Sequence, residues 1–356
     1  MPVKAVVLAQ PPEADGRSSL DPIRPGELLP VANRPILFHG LETMAAAGIR
    51  DVAMVVTPQT EGPIREAVGQ GTTWGLDVSY LAAKRSRGLA GFLLEAEDFI
   101  DGQPFILQQG SGLLQDDLGP LVNDLQEDAP DALLLVHRCQ GGSPAAPARR
   151  RDRALLSLAG GLAPGPGMAV AGVQLFGREF MPRARARLTQ HRDDHHVGAL
   201  TDDLRRAGAR VEVRLVAGWR RYEGDSHDLL ELNRMLLDRL PGDAEDVGPR
   251  TQIEGRVSVH PTAHVEGTTI RGPAIIGPEA RIVDSFIGPY TAIGECVQIE
   301  GSEIEHSIVL SGAAILHIGG RLEGSVVGRG ARVVRDFSVP RGLRLHVGDD
   351  ARVILR

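Results

Sequence analysis

Two clusters of ionisable residues are candidates for metal binding or proton transfer. Asp116 and Asp117 are adjacent carboxylates that could bind a divalent metal ion, but their place before a helical segment favours capping and helix-dipole interactions. The second cluster precedes another helical segment and consists of His191, Asp193, Asp194, His195 and His196. Imidazole and carboxylate groups could bind a transition metal or transfer protons. Because this cluster lacks a fixed ligand spacing, its pattern alone assigns no function.

Alternating strand-like and helix-like segments surround these clusters from Val3 to about Leu240. Short apolar runs predict strands at 5–9, 51–56, 77–82, 105–108, 132–137, 168–177 and 211–216. Helices are predicted between the strands, including one at 91–100 and an amphipathic one at 227–240. Such alternation indicates an α/β domain, residues 1–240, with a mostly parallel sheet.

A different period begins after the polar linker at 241–250. Aliphatic anchors recur every six residues, with one five-residue step, at Ile276, Ile282, Ile287, Ile293 and Ile299. Three of these anchors are followed directly by Gly277, Gly288 and Gly294, which we expect at tight corners. This hexapeptide period predicts a left-handed parallel β-helix over 251–356. At least five turns are expected from Val259 to about Val333, with the last residues capping the solenoid.

Hexapeptide-repeat proteins often transfer acyl groups from coenzyme A with a histidine base. The candidate histidines of the predicted β-helix are His260, His264, His306, His317 and His346. Histidines at the corners of such coils are usually only exposed, so acyl transfer is kept as a lesser alternative.

Composition excludes several other classes of function. The net charge of −7 disfavours nucleic acid as a partner. The two cysteines, Cys139 and Cys296, are too few to suggest a disulfide framework or a metal site. The sequence has no apolar run of 18 residues and no signal-like start, so we expect a soluble cytoplasmic protein without a membrane partner.

Short motifs along nearly the whole chain resemble the sugar-1-phosphate nucleotidyltransferases, most closely the long glucose-1-phosphate thymidylyltransferases. The motifs are PVANRP (30–35), AAGI (46–49), WGLDVSY (74–80), RGLAG (87–91), LTDDL (200–204) and LLELNR (229–234). The resemblance implies a Rossmann-like nucleotidyltransferase domain followed by a β-helix. It also implies a reaction that joins a nucleoside triphosphate to a sugar-1-phosphate and releases pyrophosphate, with two acidic residues holding Mg²⁺.

The same resemblance identifies positions at which this chain departs from the family. The family lysine falls at Gly26 or Glu27, and the two metal-binding aspartates fall at Ser111 and Tyr222. Serine and tyrosine are poor Mg²⁺ ligands, because this ion prefers hard anionic oxygens. The phosphate loop, residues 10–17, contains two prolines that have no N–H to offer a triphosphate.

Two further departures agree with these. The family's E-K-P segment falls at 159–161, which contains no lysine, and the glutamine that contacts the base falls at Ala83. Lys4 and Lys84 are the only lysines in the sequence. A small error in matching the motifs therefore cannot have concealed a catalytic lysine.

These departures predict a family member that has lost nucleotidyl transfer, with no catalytic or metal-binding residues and no expected cofactor. It would keep a ligand-binding, regulatory or partner-subunit role. The residues that could contact a sugar nucleotide or sugar phosphate are Arg17, Gly88, Leu89, Ala90, Gly110, Ser111 and Gly172. A homo-oligomer, or a hetero-oligomer with an active homologue, is expected. The alternative is an active enzyme with a rebuilt site for an unusual sugar phosphate, and only this alternative calls for Mg²⁺.

Overall fold

A computed structural model describes residues 2–9, 25–83, 89–138, 168–190, 204–242, 247–335 and 337. Arg17, Gly88, the segment 159–161 and the cluster His191–His196 lie outside the described residues, and so does His346.

Seven strands of the N-terminal half form one sheet, in the order β10-β8-β9-β6-β1-β4-β5. The strands of this half are β1 (Lys4–Ala9), β2 (Pro30–Val31), β3 (Arg34–Pro35), β4 (Asp51–Val56), β5 (Asp77–Ala82), β6 (Phe105–Gln109), β7 (Gly112–Leu114), β8 (Ala132–Arg138), β9 (Met168–Phe176), β10 (Val211–Leu215) and β11 (Trp219–Arg221). Within the sheet only β9 runs antiparallel, between β6 and β8. The predicted α/β domain with a mostly parallel sheet is therefore confirmed.

Helices cover the sheet, and alternate residues of the central strand face opposite cores. Val7 packs into one core and Val6 and Leu8 into the other, as expected for a strand buried on both faces. The helices are α1 (Ile36–Ala46), α2 (Glu61–Val68), α3 (Leu89–Glu95), α4 (Glu97–Ile100), α5 (Leu118–Glu127), α6 (Phe180–Gln190) and α7 (Ser226–Leu237). No helix in the described ranges has both the length and the apolar character needed to span a bilayer.

Two helix predictions were wrong in their bounds. The segment 91–100 is not one helix, because α3 and α4 are separated at Ala96. The helix predicted to reach Leu240 ends at Leu237, and the next residues form tighter turns in which Leu240 N donates to Leu237 O at 3.1 Å. Pro241 explains this end, since proline disfavours helical backbone in the residue before it.

The C-terminal half is the predicted left-handed β-helix, with five strands on each of three faces. The first face contains β12 (Gln252–Glu254), β15 (Thr269–Arg271), β18 (Phe286–Ile287), β21 (Glu303–Glu305) and β24 (Arg321–Glu323). The second contains β13 (Val257–Val259), β16 (Ala274–Ile276), β19 (Thr291–Ile293), β22 (Ile308–Val309) and β25 (Val326–Val327). The third contains β14 (His264–Glu266), β17 (Arg281–Val283), β20 (Gln298–Glu300), β23 (Ala314–Leu316) and β26 (Arg332–Val334).

Strand pairing explains the irregular step in the hexapeptide period. Ile270 pairs with Ile287, and Ile276 with Ile293, so a coil of this region takes 17 residues. Three sides with steps of six, five and six residues make up such a coil. All five predicted anchors are buried in one apolar cluster inside the β-helix, and five coils are traced from Gln252.

The glycines that follow the anchors have a different role from the one expected. Gly277 and Gly294 do not adopt positive φ. Instead, a Cβ added to Gly277 would lie 2.9 Å from the backbone of Gly294 in the next coil. Left-handed corners fall on other residues, among them Asp284 (φ 46°) and Cys296 (φ 54°). These glycines therefore permit close stacking of coils.

An apolar cluster joins the two halves of the chain, and we call it the junction cluster. Its buried members are Leu29, Val31, Ile36, Leu113, Tyr222, Leu229, Leu230, Leu232, Ile308 and Leu310. It contains Leu113 and Tyr222 of the N-terminal half together with Ile308 and Leu310 of the β-helix. The two halves thus share a core.

Candidate ligand site

Ser111 and Tyr222, where the resemblance places the family's two metal-binding aspartates, lie side by side. Tyr222 N donates to Ser111 O at 2.9 Å, extending the antiparallel pair in which β11 places Arg221 opposite Gly112 of β7. The frame that would bring two carboxylates together is therefore kept. The side chains on it are a hydroxyl and a phenol, both uncharged at neutral pH.

Gly26 faces Tyr222 directly. Gly26 opens a short 3₁₀ turn in which Leu29 N donates to Gly26 O at 3.2 Å. A Cβ added to Gly26 would lie 2.7 Å from Cδ1 of Tyr222, whose residue is only 3% exposed. In this arrangement a side chain at Gly26 and the Tyr222 ring cannot both be present.

Glu27, the other candidate for the family lysine position, points elsewhere. Its carboxyl side chain is buried, and its Cγ would lie 3.2 Å from a Cβ added to Gly110. Gly110 N donates to Leu8 O at 2.9 Å, which ties the end of β6 to β1. Glu27 thus fills the space beside Gly110, while Gly26 is the position opposite Tyr222.

Trp219 packs against two glycines near Tyr222. Its indole lies against both Gly112 and Gly172, and a Cβ on Gly172 would lie 2.8 Å from Oε1 of Gln109 as well. Trp219 is buried and belongs to the core on this side of the sheet. Gly172 is therefore required for the packing of Trp219, a role that its glycine identity alone does not reveal.

Arg221 provides the cationic group of this edge of the cleft. Its Nη1 donates to Gln109 Oε1 at 2.9 Å, and its Nε donates to Glu223 Oε1 at 2.7 Å. The side chains of both Arg221 and Glu223 are about one-third exposed (32% and 31%). Arg221 directly precedes Tyr222 in the chain, but no local pattern marked it as a site residue.

Asp116 holds the loop before β11. Its Oδ2 accepts a hydrogen bond from Ala217 N at 2.7 Å. Asp117 lies at the N-cap of α5, where its side chain makes no capping hydrogen bond. The described residues contain no group of three or more His, Cys, Asp or Glu side chains arranged to hold a metal ion. The structure therefore does not bring Asp116 and Asp117 into a metal cluster with other described residues.

The structure says less about the remaining predicted ligand contacts. Ser111 is half-buried. Leu89 and Ala90 open α3, and their side chains lie outside the described ranges, as do Arg17 and Gly88.

The described histidines of the β-helix make separate local contacts. His264 lies 3.8 Å from Glu266, His317 lies 3.6 Å from Glu300, and His260 contacts Thr262. His306 lies edge-on to the Tyr290 ring at 6.2 Å. No two of these histidines are brought together into one described site.

His39 and Asn233 flank the turn after Gly26 and were not identified from the sequence. His39 Nε2 donates to Val31 O at 3.2 Å, and burial lowers the pKa of its imidazole below the ordinary value of 6.5. Asn233 is fully buried on α7. A polar residue on the apolar face of an amphipathic helix was the available signal.

The fold is that of the nucleotidyl transferases, and comparison with known proteins agrees. The Nucleotidyl transferase family matches residues 23–143. The chain is 34% identical to the glucose-1-phosphate thymidylyltransferase of Streptomyces antibioticus over 334 residues, or 92% of each chain. This chain belongs to the sugar-1-phosphate nucleotidyltransferase family.

Two further comparisons extend this similarity. The chain is 26% identical to the low-salt glycan biosynthesis nucleotidyltransferase Agl11 of Haloferax volcanii, covering 93% of this chain and 94% of that protein. A solved structure of a candidate glucose-1-phosphate thymidylyltransferase from Bacillus anthracis, in complex with sucrose, superposes with a TM-score of 0.56. That structure covers 68% of this chain at 17% identity, which supports the fold alone.

Proposed function

We propose that this family member does not catalyse nucleotidyl transfer and acts instead by binding a sugar phosphate or sugar nucleotide in its cleft. The observation that carries the proposal is the contact between Tyr222 and Gly26. The phenol ring takes the space of the family lysine and stands, with Ser111, where the resemblance places two metal-binding aspartates. Tyr222 thereby replaces one of the two aspartates and fills the space that the lysine side chain would need.

The chemical consequence is large. Nucleotidyl transfer passes through a transition state with additional negative charge on phosphate oxygens, which metal ions and cationic side chains stabilise. Loss of one such stabilising group costs roughly 10²- to 10³-fold in rate in other enzymes. Two neutral side chains and a glycine replace three charged groups here, so we expect no measurable turnover.

The polar groups that remain support a binding role. Ser111 and Arg221 are both partly exposed, and Arg221 is held in place by Gln109 and Glu223. Guanidinium groups suit phosphate because their donors match its oxygens. The relatives' names as glucose-1-phosphate thymidylyltransferases suggest the ligand class. The other proposed contacts are Arg17, Gly88, Leu89, Ala90, Gly110 and Gly172.

A pyrophosphate-release assay tests the loss of catalysis. It should cross the four deoxynucleoside triphosphates and UTP with glucose-1-phosphate and related sugar phosphates, with Mg²⁺ present. The expected result is no sugar nucleotide by mass spectrometry. Turnover well above a heat-killed control would overturn the proposal and favour the rebuilt enzyme, in which case Asp116→Asn and His195→Ala identify its groups.

A restored variant gives the matched positive test. Gly26→Lys, Ser111→Asp and Tyr222→Asp together return the three charged groups and also remove the steric conflict at position 26. A gain of Mg²⁺-dependent turnover in the folded triple variant, absent from Ser111→Asp alone, would support the assignment of these positions.

Binding is tested separately by thermal unfolding with glucose-1-phosphate and dTDP-glucose as probes. A ligand at about 100 times its Kd should add about 2.7 kcal/mol to the free energy of unfolding. Arg221→Ala should reduce this shift, whereas Arg250→Ala, on an exposed ion pair of the β-helix, should not. If neither probe shifts unfolding while an active homologue co-purifies, the partner-subunit role replaces the binding role.

A further inference from the structure

The turn between β2 and β3 holds two consecutive non-glycine residues in the left-handed region. φ is 45° at Ala32 and 63° at Asn33. Asparagine tolerates this region, but alanine is strained there because its Cβ approaches a carbonyl oxygen. Strained backbone persists only where the surrounding structure holds it in place. The groups that hold this turn therefore determine its conformation.

Those groups come from α7 and from the third coil of the β-helix. Ala32 N donates to Asn233 Oδ1 at 2.9 Å, and Asn233 Nδ2 donates to Tyr290 O at 2.9 Å. Asn33 Nδ2 donates to Ile293 O at 2.7 Å. Asn233 is fully buried, so each end of its amide has a fixed partner. One strained residue is thus bound to the β-helix directly and the other through Asn233.

The turn is continuous with the cleft. Ile36 N donates to Leu29 O at 3.1 Å, which closes the segment 29–36 into a loop that begins three residues after Gly26. Leu29 packs in the junction cluster with Tyr222 and with Ile308 of the β-helix. A change in the turn would therefore displace Gly26 relative to the Tyr222 ring.

We propose that Asn233 is a positioning residue through which the third coil of the β-helix fixes the backbone of residues 26–36, and with it the shape of the cleft. The β-helix then supports the ligand site of the other half of the chain as well as its own fold. This inference holds whether the site only binds a ligand or also catalyses a reaction.

Hydrogen exchange of the full chain, measured by mass spectrometry without ligand, tests the proposal. Asn33→Gly keeps the left-handed backbone and removes only the bond to Ile293 O. Amides of Leu28–Ile36 should exchange about five- to tenfold faster, while those of β1 and β4 stay unchanged. Tyr290→Phe is the matched control, since it deletes the 3.0 Å bond to Asp238 at the same junction and leaves the Asn233 contacts in place.

A second pair of variants separates positioning from general stability. Asn233→Ala should accelerate exchange across the turn more than Asn33→Gly does. Ala32→Gly relieves the strained residue, so the double variant Ala32→Gly/Asn233→Ala should regain part of the protection. Uniform acceleration in every segment, or equal effects of Asn33→Gly and Tyr290→Phe on the turn, would overturn the proposal. If Asn233→Ala does not fold, Asn233→Asp takes its place, because it keeps the acceptor for Ala32 N and loses the donor to Tyr290 O, and it too should accelerate exchange across the turn.

Discussion

The Tyr222 ring occupies the volume into which a side chain at Gly26 would extend, with Cδ1 2.7 Å from an added Cβ. The two residues are 196 positions apart in the sequence, yet they form one structural unit. A side chain at position 26 would therefore clash with the Tyr222 ring in its present place.

This relationship predicts strong coupling between the two positions. Gly26→Ala should lower the free energy of unfolding by about 1–3 kcal/mol, because the ring and the backbone around it cannot move apart freely. In a Tyr222→Ala background the same change should cost little. Urea unfolding of the four proteins gives the coupling energy. Gly62→Ala, with no atom near its added Cβ, is the control, and strictly additive effects would contradict the prediction.

Gly172 is predicted to be required for the packing of Trp219. Gly172→Ala would place a methyl group against the indole and within 2.8 Å of Gln109 Oε1. We expect a loss of about 2 kcal/mol and a change in tryptophan emission as the ring shifts. Gly119→Ala, in α5 with open space around its Cβ, should be neutral or slightly stabilising. Unchanged emission and stability in Gly172→Ala would show that the packing around Trp219 adapts.

Close stacking of coils predicts which β-helix glycines cannot be replaced. A Cβ on Gly294 would lie 2.9 Å from Ser311 N and 3.0 Å from Val309 O, both backbone atoms. Because these atoms can yield only if the coils separate, Gly294→Ala should cost about 2–3 kcal/mol. Gly328→Ala, which meets no atom within 4 Å, should leave the thermal midpoint nearly unchanged. Equal midpoints for both variants would refute the stacking explanation.

His39 predicts a dependence of stability on acid pH. Burial lowers its folded-state pKa below the unfolded value of 6.5, so the unfolded chain binds the proton first as pH falls. The contribution of His39 to the free energy of unfolding is complete above pH 6.5. It is lost as the pH falls from 6.5 toward the folded-state pKa. His39→Gln, which keeps an N–H donor for Val31 O, should make the free energy of unfolding less sensitive between pH 7.5 and 5.5. An unchanged dependence on pH in His39→Gln would count against His39.

Much of this architecture was predictable because it is encoded locally. Alternating apolar runs and helices gave the α/β half, and the six-residue period gave the β-helix with its anchors. Helix ends were less predictable: α7 ends at Leu237 because of tighter turns before Pro241. The glycines after the anchors were located correctly, but their role depends on a neighbouring coil about 17 residues away.

The sequence by itself determined the family and the order of the main elements, since these follow from short motifs and local periodicity, and it predicted the substituted positions. Only the tertiary structure decided which residues meet. Gly26 rather than Glu27 faces Tyr222, Trp219 lies across Gly172, and Asn233 links the cleft turn to the β-helix. Each of these contacts joins residues far apart in the chain, and their partners are set by the packing of whole elements rather than by any local pattern.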